Sequence, residues 1–159
     1  MPRRYWLMKS DPDTFGLPHL KKSPARTTCW DGVRNYQARN LLRDEIRVGD
    51  GVLFYHSQVQ PPAVVALVRV VRAGYPDPTQ FDGRSKYHDP ASDPSDPRWY
   101  AVDIRLDREL QRPVTLPEMR ETPGLHEMVL LRKGSRLSVQ PVTAAEWKIV
   151  LGISKRRRI

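Results

Sequence analysis

Residues 30–40, which read Trp-Asp-Gly-Val-Arg-Asn-Tyr-Gln-Ala-Arg-Asn, carry the densest set of side chains able to hold a flat polar ligand. Aromatic faces such as those of Trp30 and Tyr36 stack on heterocyclic rings. The amide of Asn35 and the guanidinium groups of Arg34 and Arg39 can hydrogen-bond to polar edges or to phosphates. No acid–base pair and no set of metal ligands accompanies them in this stretch. The stretch therefore indicates that a ligand is bound rather than converted.

Three other short clusters combine aromatic, hydroxyl and basic side chains at the ends of predicted strands. They are Lys9-Ser10, Tyr55-His56-Ser57 and Arg136-Leu137-Ser138. Each has an ordinary structural explanation, because Trp30 and Tyr55 are equally suited to a hydrophobic core and serine hydroxyls often satisfy turn amides. Taken together with residues 30–40, the clusters predict a concave site lined by aromatic rings and hydroxyls.

Other chemistries have less support from the sequence. The histidines, at positions 19, 56, 88 and 126, include no i, i+4 pair, and a single cysteine cannot form a Cys-x-x-Cys motif, so no metal site is predicted. No glycine-rich phosphate-binding motif occurs, and no cofactor is expected. Cys29 and His56 could meet in space as a nucleophile and its base, which leaves an enzyme as an alternative. A lone cysteine is more often a small buried apolar residue.

The composition is that of one basic domain. The chain has 159 residues, 39% of them hydrophobic, which suffices for a single core. Six of its nine net positive charges come from Arg3, Arg4 and residues 155–158. A basic surface attracts polyanions such as nucleic acids. We expect one domain over residues 1–153 and a basic C-terminal tail over residues 154–159.

The same composition bears on location. No run of eighteen apolar residues and no apolar N-terminal segment is present, so neither a membrane partner nor secretion is expected. The single cysteine fits a reducing compartment. We expect a cytoplasmic protein in a bacterium, which the excess of arginine over lysine favours. In a eukaryote, residues 155–158 could act as a nuclear signal.

The secondary-structure elements that must position these side chains follow from apolar periodicity and turn residues. Strands are predicted at 5–8, 52–56, 63–71, 99–106 and 136–140, and helices at 34–45, 117–120 and from Thr143 to Gly152. Asp31 or Gly32 is expected to cap the first helix, and Thr143 and Glu146 resemble a capping box. Residues 74–98, rich in proline and aspartate, are predicted to be mostly irregular. Many strands with few short helices predict an α+β domain around a bent or barrel-like sheet.

Several of these stretches together resemble the EVE domain family. The matching segments are residues 5–12, 30–40, 49–50, 54–57, 75–82, 97–99 and 136–142, which extend over nearly the whole chain. The blocks around Trp30 and Arg136 are long and specific. One departure is Asp11, where the family usually carries glutamate in a Lys-Ser-Glu-Pro motif, so a contact made by that carboxylate is in doubt.

The resemblance implies a PUA-like fold, a bent mixed β-barrel with short surrounding helices. It also implies a non-catalytic module that holds a modified base, chiefly a modified cytosine in DNA, with RNA as a second partner. The alternatives are a PUA-like RNA-binding module without preference for modification, and an enzyme that uses Cys29 or His56. Oligomeric state is not readable from the sequence.

On this resemblance, site roles can be assigned residue by residue. Trp30 and Tyr55 are expected to be stacking walls for a base taken out of its stack. The other predicted base-pocket residues are Ser10, Asn35, Tyr36, His56, Ser57 and Ser138. The residues predicted to contact phosphates or base edges are Lys9, Arg34, Arg39 and Arg136.

Overall fold

The computed structural model describes residues 3–134 and 136–155, and a six-stranded mixed sheet organises them. The strands are β1 (Tyr5–Ser10), β2 (Thr27–Trp30), β3 (Gly51–His56), β4 (Ala63–Pro76), β5 (Tyr100–Thr115) and β6 (Val139–Val142). Their order in the sheet is β2-β5-β4-β3-β1-β6. Strands β1 and β3 are parallel, from Tyr5 opposite Gly51 to Ser10 opposite His56, and the other pairs are antiparallel.

Short helices surround the sheet. They are α1 (Pro12–Phe15), α2 (Leu17–Lys22), α3 (Tyr36–Asn40), α4 (Leu116–Arg120) and α5 (Ala144–Ser154). Leu41–Glu45 continues α3 as a π-helical turn, and 3₁₀ turns occupy Pro24–Arg26, Pro78–Phe81 and Val129–Leu131. Within residues 3–134 and 136–155, no helix is long and apolar enough to cross a membrane.

The fold is the predicted α+β, PUA-like architecture, although "barrel" describes it only loosely. Among the described residues no pairing joins β2 to β6, so the sheet stays open. Register shifts interrupt the β3–β4 and β4–β5 ladders, and such bulges bend and twist a sheet. The bend lets β2 and β1, which have three other strands between them in the sheet, line one cavity, described below.

The sheet is covered on both faces, which gives the molecule two hydrophobic cores. Alternate side chains of a strand point to opposite faces. Trp6 and Phe54 accordingly belong to one core and Leu7 and Tyr55 to the other. The first core also contains Trp30. Burial on both faces explains why β1 and β3 read as unbroken apolar runs.

Several element boundaries differ from the predictions. Helix α3 begins at Tyr36 and its cap is Asn35, whose Oδ1 accepts from the Ala38 amide at 3.0 Å, rather than Asp31 or Gly32. Strand β2 was not predicted, because four residues are too short for a periodic pattern. The predicted strand over 136–140 begins later, as β6, at Val139. Pro141 lies within β6, at the edge of the sheet, where its missing N–H is not needed for a hydrogen bond to a neighbouring strand.

The predictions for the C-terminal part agree with the structure up to the end of α5. The capping box is present, since Thr143 accepts from the Glu146 amide and Glu146 accepts from the Thr143 amide. Helix α5 runs to Ser154, the first residue of the predicted tail, and Ser154 is buried. Residues 156–159 of that tail lie outside the described residues.

The segment predicted to be irregular, residues 74–98, begins as the end of β4 and then forms a series of tight turns. Aspartates 77, 82, 89 and 93 each accept a hydrogen bond from the backbone amide two residues ahead. Buried Gln80 holds the two ends of the segment together: its Nε2 donates to the carbonyls of Asp77 and Trp99, both at 2.8 Å. The aspartates therefore shape the backbone of this segment.

Candidate functional site

A cavity of about 460 Å³ opens where β1 and β2 end. β1 and the adjoining α1 supply Lys9, Ser10, Asp11, Thr14 and Phe15; β2 and the loop after it supply residues 28–34; Lys86, Tyr87 and Ser138 complete the lining. A cleft of this size, lined by aromatic side chains together with many polar and charged ones, has the dimensions of a small-ligand site.

Trp30 is both a core residue and a wall of this cavity. It is 9% exposed and packs edge-to-face on Phe54, with ring centroids 5.9 Å apart at 81°. Such a contact fixes the indole, so that a ligand meets a preformed aromatic surface. The two explanations offered by the sequence, core and stacking wall, both apply to Trp30.

Tyr87 provides a second aromatic side chain that the sequence did not single out. Its ring lies against Gly32, where φ is +76° and an added Cβ would approach Tyr87 Cζ to 2.6 Å. Only glycine permits both this backbone conformation and this close approach. The Asp31-Gly32 turn thus brings an aromatic ring from the 74–98 segment to the cavity.

Burial shifts the pKa of two ionisable groups of the cavity in the direction of their neutral forms. Burial lowers the pKa of the Lys9 ammonium. Asp31 is exposed as a whole residue, but its carboxyl is partly buried, and this burial raises the pKa of Asp31. The nearby charge of Asp77 raises this pKa further, whereas the charge of Arg34 lowers it. Both shifts reflect the partial burial of these two groups at the cavity.

The two serines at the cavity help to join its parts. The Ser10 hydroxyl donates to the Phe15 carbonyl, which ties β1 to α1. The Lys9 amide donates to the Ser138 carbonyl at 2.8 Å, so the segment before β6 is attached to the end of β1. The Ser57 amide donates to the Ser10 carbonyl at 2.9 Å, outside the cavity lining.

Arg34 is a structural clamp rather than a free cation. Its Nε and Nη2 donate to the Tyr87 carbonyl at 3.1 and 2.6 Å. Nη1 donates to Asp77 Oδ2 and to the Val33 carbonyl, both at 3.0 Å, and Nη2 also donates to Thr79 Oγ1 at 3.1 Å. These five bonds engage all five N–H groups of the guanidinium. The predicted phosphate contact would therefore require the clamp to open.

Cys29 and His56, the pair considered for nucleophilic catalysis, have separate partners. The Tyr75 hydroxyl lies 2.9 Å from Cys29 Sγ and 2.5 Å from Asp103 Oδ1, and burial raises the pKa of the Cys29 thiol to about 11. His56 Nε2 accepts from the Leu17 amide at 3.1 Å, and burial lowers the pKa of His56. The thiol is thus neutral at pH 7, and the imidazole nitrogen that could act as a base is occupied.

The structure brings some predicted site residues to the cavity and leaves others outside it. Lys9, Ser10, Trp30, Arg34 and Ser138 line it, whereas Asn35, Tyr36, Arg39, Tyr55, His56, Ser57 and Arg136 do not. Tyr55 was expected to be the wall opposite Trp30, but it points into the second core and is 3% exposed. Strand alternation explains the difference, because its neighbour Phe54 takes the face that Trp30 contacts.

Other cavity residues were not predicted as ligand contacts. Asp31 was considered only as a turn and capping residue, and Phe15, Thr28 and Val33 have no signal that separates them from core or loop positions. Tyr87 is one of three aromatic residues in the 74–98 segment, with Tyr75 and Phe81, and no sequence signal separates it from them.

In the residues that the structure describes, no group of three or more His, Cys, Asp or Glu side chains could hold a metal ion.

The open mixed sheet, with short helices around it and a cavity where β1 and β2 end, is that of a PUA-like domain. The chain belongs to the EVE domain family, whose model matches residues 4–153. It is similar to thymocyte nuclear protein 1 of Danio rerio, with 40% identity over 93% of this chain and 71% of that protein.

Two solved structures are close to this one. A protein from Pseudomonas putida is 43% identical, with a TM-score of 0.87, and the match covers 94% of this chain and 99% of that one. Human THYN1 protein, in a crystal structure in complex with 5-methylcytosine-containing DNA, is 38% identical, with a TM-score of 0.90 and coverage of 98% of this chain and 99% of that one.

Proposed function

We propose that this protein is a non-catalytic nucleic-acid reader that holds a modified base, with a modified cytosine in DNA as the favoured ligand. The observation that carries the proposal is the cavity of about 460 Å³ with the rigid Trp30 indole as one wall and the Asp31 carboxyl on its lining. The crystal structure of human THYN1 with 5-methylcytosine-containing DNA supports this choice of ligand.

The chemistry of the lining suits a cytosine ring. A carboxyl oxygen is the group that accepts from the cytosine N4 amino group, and Asp31 supplies one. Its raised pKa makes the protonated form more accessible, and that form can also donate to a ring nitrogen. Phe15 and Val33 add apolar surface against which a methyl group can pack. Lys9 and Ser138 are among the other polar residues of the lining.

A base in a duplex must leave its stack to enter such a cavity. That step costs a few kcal/mol, which aromatic stacking and hydrogen bonds to the base edge must offset. The walls are already fixed, Trp30 by Phe54 and Tyr87 by its contact with Gly32, so little further ordering opposes binding.

The neutral Cys29 thiol favours binding over nucleophilic catalysis. Its hydrogen-bond neighbour is Tyr75, and its pKa of about 11 leaves little thiolate at pH 7. The role of Cys29 at the cavity is then that of a small, polarisable lining group.

The test is a titration of DNA oligonucleotides that differ only in one base, which is cytosine, 5-methylcytosine or 5-hydroxymethylcytosine. We expect roughly tenfold tighter binding of a modified base, the scale of one added methyl group in a fitted pocket. An RNA of the same sequence, titrated at two salt concentrations, separates backbone attraction from base recognition. Equal affinity for all the DNA ligands would refute the proposal and leave general nucleic-acid binding.

A variant pair assigns any preference to the cavity. Asp31→Ala is expected to weaken binding of the modified oligonucleotide about tenfold, the scale of one hydrogen bond to a carboxylate. Asp107→Ala is the control, because it removes an exposed carboxylate from β5. Asp107 lies five residues after Val102, which pairs with Trp30, and its loss should leave the affinity unchanged.

A further inference from the structure

An exposed aromatic ring lies next to the cavity but outside its lining. Tyr36, the first residue of α3, is 52% exposed and stacks on Trp99, with ring centroids 4.8 Å apart at 26°. Trp99 is 6% exposed, and its Nε1 donates to Asp89 Oδ2 at 2.7 Å. The buried indole therefore fixes a tyrosine ring at the surface.

Arg39 places a guanidinium group against the Tyr36 ring. Its guanidinium carbon lies 4.9 Å from the Tyr36 ring centroid, and its Nη1 donates to the Arg98 carbonyl at 2.7 Å. Both a phenol ring and a guanidinium plane are surfaces on which nucleobases stack. We call Tyr36 and Arg39, with Trp99 beneath them, the Tyr36 platform.

The platform is joined to the cavity through Arg34. The Arg34 guanidinium carbon lies 5.3 Å from the Trp99 ring centroid, and Arg34 lines the cavity. One indole ring thus separates the cavity edge from the exposed Tyr36 ring.

The charge around the platform is complementary to a polyanion. Arg39 Nη2 has no hydrogen-bond acceptor among residues 3–134 and 136–155, so it is free to meet a phosphate. Asp89, the acid beside Trp99, is occupied by the indole N–H and lies 4.0 Å from Arg98 Nη1. An exposed aromatic ring beside a free guanidinium is a typical single-strand contact.

We propose that Tyr36 and Arg39 form a second stacking site, which holds the base next to the one in the cavity, on the same strand. This inference rests on the proposed function, since it assumes that a base occupies the cavity. The ligand class is a short single-stranded segment of nucleic acid, contacted without regard to the identity of the second base, because every base has a flat face.

The experiment compares two ligands by NMR titration: 5-methyl-2′-deoxycytidine monophosphate, and a single-stranded DNA trinucleotide with 5-methylcytosine at its centre. Tyr36→Ala is expected to lower the trinucleotide affinity at least about fivefold and to leave the mononucleotide affinity unchanged. Tyr36→Phe keeps the ring and should bind as the unaltered protein does. Val48→Ala is the matched control, because it removes another exposed apolar side chain. Val48 lies near the start of β3, at the end of the strand away from the cavity, so its loss should have no effect.

The outcomes are distinguishable. An unchanged trinucleotide affinity for Tyr36→Ala overturns the platform, and so does an equal loss for both ligands, which would make Tyr36 a support for the cavity. Should the unaltered protein bind methylated and unmethylated trinucleotides equally while Tyr36→Ala still weakens both, the proposed function fails and the platform stands.

Discussion

The Arg34 clamp leads to the sharpest prediction about stability. Replacing Arg34 with methionine keeps the apolar length of the side chain but removes the guanidinium that joins the loop after β2 to the 74–98 segment. Asp77, whose side chain is 0% exposed, would lose its only salt-bridge partner among the described residues. We expect the free energy of unfolding to fall, because a buried carboxylate would be left without its counter-charge.

The magnitude follows from what Asp77 retains. Breaking a buried ion pair on one side costs about 3–5 kcal/mol. Asp77 keeps hydrogen bonds from the amides of Gly32 and Thr79, both at 2.8 Å, and the Arg34 side chain is 22% exposed. Both facts place the loss near the lower limit, at about 3 kcal/mol. For a domain of this size that corresponds to a fall in Tm of roughly 6–12 °C.

The assay is urea unfolding followed by tryptophan fluorescence, with Arg39→Met as a matched control. Arg39 is a nearby arginine that makes no salt bridge among the described residues, so its loss should cost below about 1 kcal/mol. A loss for Arg34→Met no larger than that of the control would refute the clamp.

Arg34→Lys separates the clamp from a phosphate contact. Lysine keeps the charge but cannot reproduce the planar fork that reaches four acceptors. The clamp predicts that stability is not restored, whereas a role limited to phosphate binding predicts full stability and near-normal binding.

Three further measurements check other parts of the structure. Gly32 and Gly49 both have positive φ, but of the two only Gly32 would bring an added Cβ against Tyr87. In urea unfolding, Gly32→Ala should therefore lower the free energy of unfolding by about 1–3 kcal/mol more than Gly49→Ala, and equal losses would contradict the contact. Burial lowers the pKa of His56, so as pH falls below about 6.5 His56 takes up its proton in the unfolded chain before it does so in the folded protein, and stability is lost. His56→Gln should reduce this loss, and an unchanged pH profile of the free energy of unfolding would exclude His56 as its source. Cys29 should be alkylated slowly by iodoacetamide at pH 8, since its pKa is raised to about 11, and rapid alkylation would show that the thiol is not held neutral.

How far the site could be predicted differs from residue to residue. Trp30 was identified because an aromatic beside an Asp-Gly turn is a local pattern. Tyr55 looked equally suitable, but the face on which a strand residue lies depends on what packs against the sheet. Arg34 looked like a phosphate ligand, and only the tertiary contacts with Asp77 and Tyr87 show that its donors are occupied.

Local sequence signals are enough to predict the α+β class, strands β3 and β4, the Thr143 and Glu146 cap of α5, and the family resemblance carried by residues 30–40 and 136–142. Such signals arise from periodicity and from hydrogen bonds between near neighbours in the chain. Three features become visible only in the folded protein: the sheet is open, β2 pairs with β5, and the Tyr87 ring lies over Gly32 at the cavity. Those features depend on contacts between residues far apart in the chain, and no short segment encodes them.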